Sequence, residues 1–226
     1  MRKKLVGSMT LLTVIGISFS AVVLAVSLQQ QGSAGQSNAK QKKLREVAEE
    51  RDVEVEGSSG SHVEYVTLES LRREARAIVY GRIADSKSFF DESSPIEYGE
   101  NITTEYTVNV LRVLKDKTLE TTPAPARAAP TPLSTSLKIA RNGGVVYVNG
   151  HRASVKVKGF DSLEPGKQYV FFLSWSPDYK AYVLIFGISG VVMVNDDLSL
   201  KPLASSKELQ AELSGMNLEN FINQVQ

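Results

Sequence analysis

The chain has 226 residues, with 26 lysines and arginines against 25 acidic residues, two histidines and no cysteine. The lack of cysteine excludes disulfides, thiolate metal sites, thiol catalysis and a lipid-modified cysteine. The near-zero net charge provides no basic excess for a phosphate backbone, so nucleic acid is not an expected partner.

An uncharged apolar run near the N-terminus, residues 5–28, directly follows Arg2, Lys3 and Lys4. About 20 apolar residues suffice to cross a bilayer as a helix. The basic cluster is expected to stay in the cytoplasm, so the sequence predicts a single-pass membrane anchor with the following domain outside the cytoplasm. One alternative stays open: the small residues near Ser27 are typical of signal-peptide cleavage, which would yield a secreted protein.

Residues 29–62 have the composition of a flexible polar linker. Their first half is rich in glutamine, glycine, serine and lysine, and it has too few apolar side chains to offset the entropy of ordering. Leu44, Val47 and Ala48 fall on one helical face, which predicts one short helix inside this linker.

Residues 63–226 show the pattern of one mainly β domain. Thr67 is placed to cap a short helix, and residues 77–83 follow as an apolar strand. Residues 102–114 alternate polar and apolar side chains, which predicts a long half-buried strand. The alternation changes parity after Val110, so a β-bulge or bend is expected near this residue.

The second half of this domain contains many short predicted strands joined by recognisable turns. The strands are predicted at residues 137–140, 145–148, 151–157, 169–173, 181–186 and 191–194. Proline-rich residues 121–132 predict a surface loop, and Asn149-Gly150 predicts a tight hairpin. Ser205 with Glu208 predicts a capped helix, and a last helix with one apolar face follows. Together these elements predict a mainly β fold, a single antiparallel OB-like barrel or sandwich with flanking short helices.

The order of these elements resembles a group of bacterial proteins. The stretches that carry the resemblance are a helix, the strand AIVYGRI (77–83), the strand TEYTVNVLRVLK (104–115), a glycine-rich hairpin and PGKQYVFFL (165–173). In this order they resemble uncharacterised bacterial secreted or membrane-anchored proteins, which look like relatives of the OB-type barrel of netrin and tissue-inhibitor-of-metalloproteinase modules. The resemblance spans residues 68–194 and implies a fold, but it transfers no catalytic residue. The inhibitor family chelates its target's metal through an N-terminal cysteine, which this chain lacks, so inhibition by that route is excluded.

No sequence motif predicts catalysis or a cofactor. The spacings HExxH, GxSxG, GxGxxG and Walker A do not occur. His62 and His151 lie far apart in sequence, so no histidine metal centre is predicted. The adjacent carboxylates Asp91 and Glu92 are typical of a solvated turn. We therefore predict a protein that is not an enzyme and has no metal site or cofactor.

Aromatic side chains in predicted loops are the best candidates for recognition. The candidate ligand-binding residues are Phe89, Phe90, Tyr98, Trp175 and Tyr179. The first three lie in a predicted loop, residues 86–101, and the other two lie in a predicted hairpin connection. Exposed aromatics at a barrel mouth can anchor a protein, peptide or glycan. Alternatively, Phe89 and Trp175 fold inward and plug the end of the barrel.

These observations predict a membrane-anchored, extracytoplasmic β-barrel interaction module. Its membrane contact is residues 5–28, and its expected partner is an envelope protein or polymer held by the loops. The alternative function is an inhibitor or regulator of an envelope enzyme that inserts a loop without chelating metal.

Overall fold

The structure is a computed structural model that describes residues 44–57, 66–91, 101–117, 133–157, 159–160, 162–204 and 206–225. Within these ranges the chain is mainly β, as predicted, with two mixed sheets and a few short helices. The predicted anchor, residues 5–28, lies outside the described residues, as does Tyr98. No helix in the described ranges is both long enough and apolar enough to cross a bilayer.

Short helices precede and follow the main run of strands in the described part of the chain. The helices are α1 (Leu44–Ala48), α2 (Leu68–Glu74), α3 (Lys207–Leu213) and α4 (Leu218–Val225), and one 3-10 turn spans Gly187–Gly190. The strands are β1 (Val53–Gly57), β2 (Ala77–Asp91), β3 (Asn101–Asp116), β4 (Ser136–Asn142), β5 (Gly144–Val148), β6 (His151–Val157), β7 (Gln168–Ser176), β8 (Ala181–Leu184), β9 (Val191–Val194) and β10 (Leu200–Pro202).

The larger sheet has seven strands in the order β10-β9-β7-β2-β3-β4-β8. β7 also pairs with β8, so the pairings lead from β7 through β2, β3, β4 and β8 back to β7. β4 and β8 run parallel, and the other pairs are antiparallel. The prediction of a wholly antiparallel sheet is therefore wrong. β8 reverses direction after β7 through the tight turn 177–180, and this reversal makes it parallel to β4.

β2 and β3 form a hairpin whose strands are longer than predicted. Tyr80 pairs with Arg112 and Gly81 pairs with Val110, which leaves Leu111 as an extra residue on β3. A bulge therefore lies directly after Val110, where the change of parity predicts it. The two strands stay paired as far as Asp91, so the predicted loop 86–101 begins too early.

The smaller sheet has three strands in the order β1-β6-β5. β5 and β6 form the predicted hairpin, with Asn149 at φ 51° and Gly150 at φ 85°, the left-handed conformations that such a turn requires. β1 pairs in parallel with β6, and Val53 lies opposite Ala153. β1 falls within the predicted linker, because a five-residue strand with two glutamates has too little apolar content to be recognised.

Two of the helix predictions depend on capping side chains. Thr67 Oγ1 accepts a hydrogen bond from the backbone N–H of Ser70 at 3.1 Å, so Thr67 caps α2 as predicted. α3 is capped by Ser206 rather than by the predicted Ser205, because the backbone N–H of Leu209 donates to Ser206 Oγ at 3.3 Å. α4 buries its apolar face, as its sequence predicts.

Three apolar cores connect these elements. The first core joins α2, α3 and α4 to the larger sheet, and there the rings of Phe172 and Phe221 meet edge to face at 6.1 Å. The second core is built from β2, β3, β4, β7, β8 and β9, with Tyr106 and Ile139 fully buried. The third core lies between α1, the smaller sheet and the far ends of β2 and β3. This third core determines which side chains of the hairpin point inward and which point to solvent.

Candidate functional site

The structure separates the aromatic residues that the sequence singles out. Phe89 and Phe90 lie in strand β2, and Trp175 lies in strand β7, so none of the three is in a loop as predicted. Tyr179 lies in the turn between β7 and β8. Tyr98 is outside the described residues.

Phe90 and Trp175 are packed against apolar cores. Phe90 is half-buried against the third core, and the guanidinium carbon of Arg45 lies 5.9 Å from the centre of its ring. Trp175 packs against the second core and meets the ring of Tyr182 edge to face at 5.3 Å. These two aromatic side chains therefore help to hold the fold together. For Trp175 this agrees with the inward-folding alternative.

Phe89 and Tyr179 belong to one surface, which we call the Tyr179 patch. The patch consists of Phe89, Asp91, Thr103, Asn142 and Tyr179. Thr103 on β3 is the strand partner of both Phe89 and Asn142, which puts these three side chains on one face. Thr103 Oγ1 donates to Asp91 Oδ2 at 3.2 Å, and the Tyr179 hydroxyl donates to Asn142 Oδ1 at 2.9 Å.

The patch combines an apolar ring with oriented polar groups. Phe89 is 38% exposed, whereas Asp91 and Thr103 are buried. The burial of Asp91 corrects the prediction that it lies in a solvated turn. Burial raises the pKa of Tyr179, and the negative charge of Asp91 adds to this effect, so the hydroxyl keeps its proton at neutral pH. The patch can therefore offer an apolar anchor beside a fixed phenol and amide.

A second surface, the outer face of the smaller sheet, is one that the sequence analysis missed. We define it by Val145, Tyr147, Glu54, Arg152 and Lys156. The exposed fractions of Tyr147 and Val145 are 71% and 40%. Glu54 accepts from Lys156 Nζ at 2.7 Å and from an Arg152 guanidinium nitrogen at 3.2 Å, and these hydrogen bonds lower its pKa.

The alternation of side chains in β6, together with the predicted β5–β6 hairpin, could have revealed this second surface from the sequence. Residues 145–148 are all apolar, so β5 alone does not reveal which side chains face solvent. β6 alternates instead, with Arg152 and Lys156 on the polar face. Because the Asn-Gly turn fixes the register of the hairpin, Tyr147 must lie beside Arg152 on that face.

The two surfaces lie on opposite sides of a two-layer unit. Successive side chains of a strand point to opposite faces, so Phe89 points away from the core that Phe90 contacts. Val146 of the smaller sheet belongs to that same core, and its neighbour Tyr147 points away from it in the opposite direction. The Tyr179 patch and the outer face are therefore separated by the third core.

Within the described ranges, no group of three or more histidine, aspartate or glutamate side chains is arranged to hold a metal ion. No protein-family model and no curated protein sequence matches the chain. Function is therefore inferred from the two surfaces themselves.

Proposed function

We propose that the protein is a membrane-anchored, extracytoplasmic β-barrel interaction module that binds an envelope protein through the Tyr179 patch. One observation carries the proposal: the β7–β8 turn brings Tyr179 onto the same face as Phe89, and its hydroxyl is held by Asn142. An exposed aromatic ring beside buried, hydrogen-bonded polar groups is typical of the anchor of a protein interface.

The strand pairings support an OB-type barrel as the scaffold of this module. The pairings return from β8 to β7, and the second core is lined by the strands that take part in this ring. The parallel contact between β4 and β8 suits a five-stranded Greek-key barrel, in which the chain crosses one end before the last two strands. OB-type barrels bind their ligands with strand faces and loops, which suits a patch built on β2, β3, β4 and the β7–β8 turn.

The membrane part of the proposal depends on residues 5–28. Their length, their lack of charge and the preceding Arg2, Lys3 and Lys4 favour a single-pass anchor with a cytoplasmic N-terminus. Alkaline carbonate extraction of membranes should leave the full chain in the pellet. A chain that is released, and whose N-terminus begins near Ser27 by mass spectrometry, would support the secreted alternative instead.

The partner site is tested by photocross-linking in the cells that make the protein. Phe89 is replaced by benzoylphenylalanine in the tagged full chain, and Leu198 is replaced in a matched control. Leu198 is 44% exposed in the turn between β9 and β10, outside the patch. We expect a discrete protein adduct at position 89 that is absent at position 198 and is weakened several-fold by Asn142→Ala. The same adducts at both positions, or none at position 89, would contradict the proposed site.

A further inference from the structure

We propose that the partner of the Tyr179 patch binds through an extended segment, which pairs as an added strand with a free edge of β2. The inference rests on the proposed function and states in what form the partner is recognised there. Three observations support it: the unpaired backbone groups along this edge, the position of Phe89 on the same strand and the charges beside it.

β2 is paired on both of its edges over only its first half. Residues 77–82 pair with β3 on one side and with β7 on the other. The second pairing ends at Ile83, whose N–H donates to the carbonyl of Lys167 at 3.1 Å and whose carbonyl accepts from the N–H of Gly166 at 2.8 Å. Beyond this point, residues 85–91 pair with β3 and with no other described strand. The second half of β2 therefore has a free edge on the side away from β3.

The hydrogen-bond register shows which backbone groups point to this edge. The carbonyl of Ile102 accepts from the N–H of Gly143 at 2.7 Å, on the side of β3 that faces β4. Backbone groups of successive strand residues point to alternate sides, so those of Thr103 point to β2, where its partner is Phe89. The backbone groups of Phe89 point back to β3, and those of its alternate neighbours point away. The residues whose N–H and C=O groups face the free edge are therefore Ser86, Ser88 and Phe90.

These three residues form a template for another strand. In the described part of the chain, their backbone N–H and C=O groups have no hydrogen-bond partner. Ser86 and the adjacent Lys87 are exposed, so the edge is open to solvent. A row of unpaired N–H and C=O groups at alternate residues is the structure that an extended peptide binds in strand addition.

The free edge continues into the Tyr179 patch through Phe89. This residue lies between Ser88 and Phe90, and it is 38% exposed on the patch. In an added antiparallel strand, the residue opposite Phe89 belongs to a non-hydrogen-bonded pair, in which the two side chains lie closest together. An apolar side chain at that position would cover the exposed part of the ring. One segment can therefore bind the edge with its backbone and the patch with a side chain.

The charges on the patch face of β2 favour a segment with a particular pattern. Lys87 and Asp85 alternate with Phe89 along the strand, so they lie on the same face, and both are exposed. Glu105 lies opposite Lys87 on β3 but forms its ion pair with Lys138, at 2.8 Å. In the described residues neither Lys87 nor Asp85 forms an ion pair. Opposite charges across a strand pair are stabilising. The matching segment therefore has an apolar, an acidic and a basic side chain at alternate positions.

A second copy of the chain matches this edge less well. It can place Asp85 opposite Lys87 in only one antiparallel register, the one with Ser86 opposite itself. In that register the second strand runs into residues 166–167, which already occupy the edge at Ile83. The length that remains is too short to cover Phe89. A partner segment of different sequence can match the charges and cover the ring in one register.

The test combines the photocross-linker at position 89 with a substitution that removes one N–H from the edge. Ser86→Pro removes an N–H that has no partner in the described structure, and proline is tolerated on such an edge. Ser86→Ala is the matched control, because it also loses the hydroxyl but keeps the N–H. Both are made in the tagged full chain and compared in the cells that make the protein. Melting temperatures of the purified chains report on folding. In a further chain, benzoylphenylalanine replaces Asp85, and mass spectrometry locates the cross-linked residues.

We expect the adduct at position 89 to fall several-fold in Ser86→Pro and to stay unchanged in Ser86→Ala. The residues cross-linked from positions 85 and 89 should lie about four apart in one segment of one protein, with an acidic residue midway. An adduct that Ser86→Pro leaves unchanged, or cross-linked residues in separate segments, overturns strand addition while the Tyr179 patch stands as a binding site.

Two further outcomes are decisive. An adduct between two copies of the chain places a second copy on this edge and overturns the inference. No adduct at position 89 overturns the proposed function together with the inference. If Ser86→Pro lowers the melting temperature, the positions of the cross-linked residues decide alone.

Discussion

Phe89 and Phe90 are identical neighbours that the fold uses in opposite ways. Phe90 contacts the third core, whereas Phe89 is exposed on the Tyr179 patch. We expect Phe90→Ala to lower the free energy of unfolding by about 2 kcal/mol, because removal of this half-buried ring leaves a partial cavity beside the third core. Phe89→Ala should cost less than about 1 kcal/mol. Urea unfolding followed by the fluorescence of Trp175, the single tryptophan, measures both. Equal losses would contradict the assignment of the two faces.

The Tyr179 hydroxyl makes a contact that a single-atom substitution can test. Tyr179→Phe removes the donor to Asn142 Oδ1, and we expect a loss of about 1 kcal/mol in the free energy of unfolding. Tyr147→Phe is the matched control, since that side chain is 71% exposed and its hydroxyl can bind water. Denaturation curves of the two variants should differ in midpoint. Loss of similar size in both would mean that the Asn142 contact contributes little.

At the scale of single residues, the sequence could identify aromatic candidates but not their directions. The sequence predicts loops at Phe89, Phe90 and Trp175, whereas all three lie in strands. Their orientation depends on the pairing of β2 with β3 and of β7 with β8, which joins residues far apart in the chain. The role of Asn142 was invisible for the same reason, because nothing near it in sequence points to Tyr179.

At the scale of structural elements, Gly144 allows β5 to pack closely against the β2–β3 hairpin. A Cβ at Gly144 would overlap the side-chain oxygens of Ser88 and Thr104, and its φ of 147° is unfavourable for other residues. We expect Gly144→Ala to lower the free energy of unfolding by about 3 kcal/mol, because strain and overpacking add. Gly150→Ala, at φ 85° with open space around it, should cost about 1 kcal/mol. Thermal melts compare the two, and equal shifts would contradict the close contact.

The sequence predicts an element correctly where a few neighbouring residues determine it. It misses elements that depend on pairing with strands distant in the chain. The cap Thr67, the Asn149-Gly150 turn and the bulge after Val110 were legible from a few neighbouring residues. β1 and β10 were missed, because both are short strands whose pairing partners stabilise them more than their own composition does. The parallel contact of β4 with β8 is a property of chain connectivity, and alternation of side chains carries no information about it.

For the whole molecule, the free energy of unfolding should be highest around neutral pH and should decrease toward both acid and alkaline pH. Burial raises the pKa of Tyr80 and Tyr169, as it does for Tyr179. A pKa that is higher in the folded state means stabilisation that is present below about pH 10, the unfolded value, and lost as the pH rises through the folded value. Hydrogen bonds lower the pKa of Glu54 and Asp197, so their stabilisation is present above the unfolded values and lost as the pH falls through the folded ones.

Two substitutions test the alkaline loss and the acid loss of stability separately. Free energies of unfolding are measured by urea titration at intervals from about pH 3 to about pH 11. Tyr169→Phe should flatten the alkaline fall and leave the acid fall unchanged, because the ring stays in the second core while the titrating hydroxyl is gone. Glu54→Gln should reduce the acid fall and leave the alkaline side unchanged, and its effect should shrink with added salt because the carboxylate is exposed. Stability that rises above about pH 10 would contradict the direction of the tyrosine shifts. If the free energy of unfolding of Glu54→Gln falls with acid as much as that of the unsubstituted protein, carboxylates other than Glu54 cause that fall.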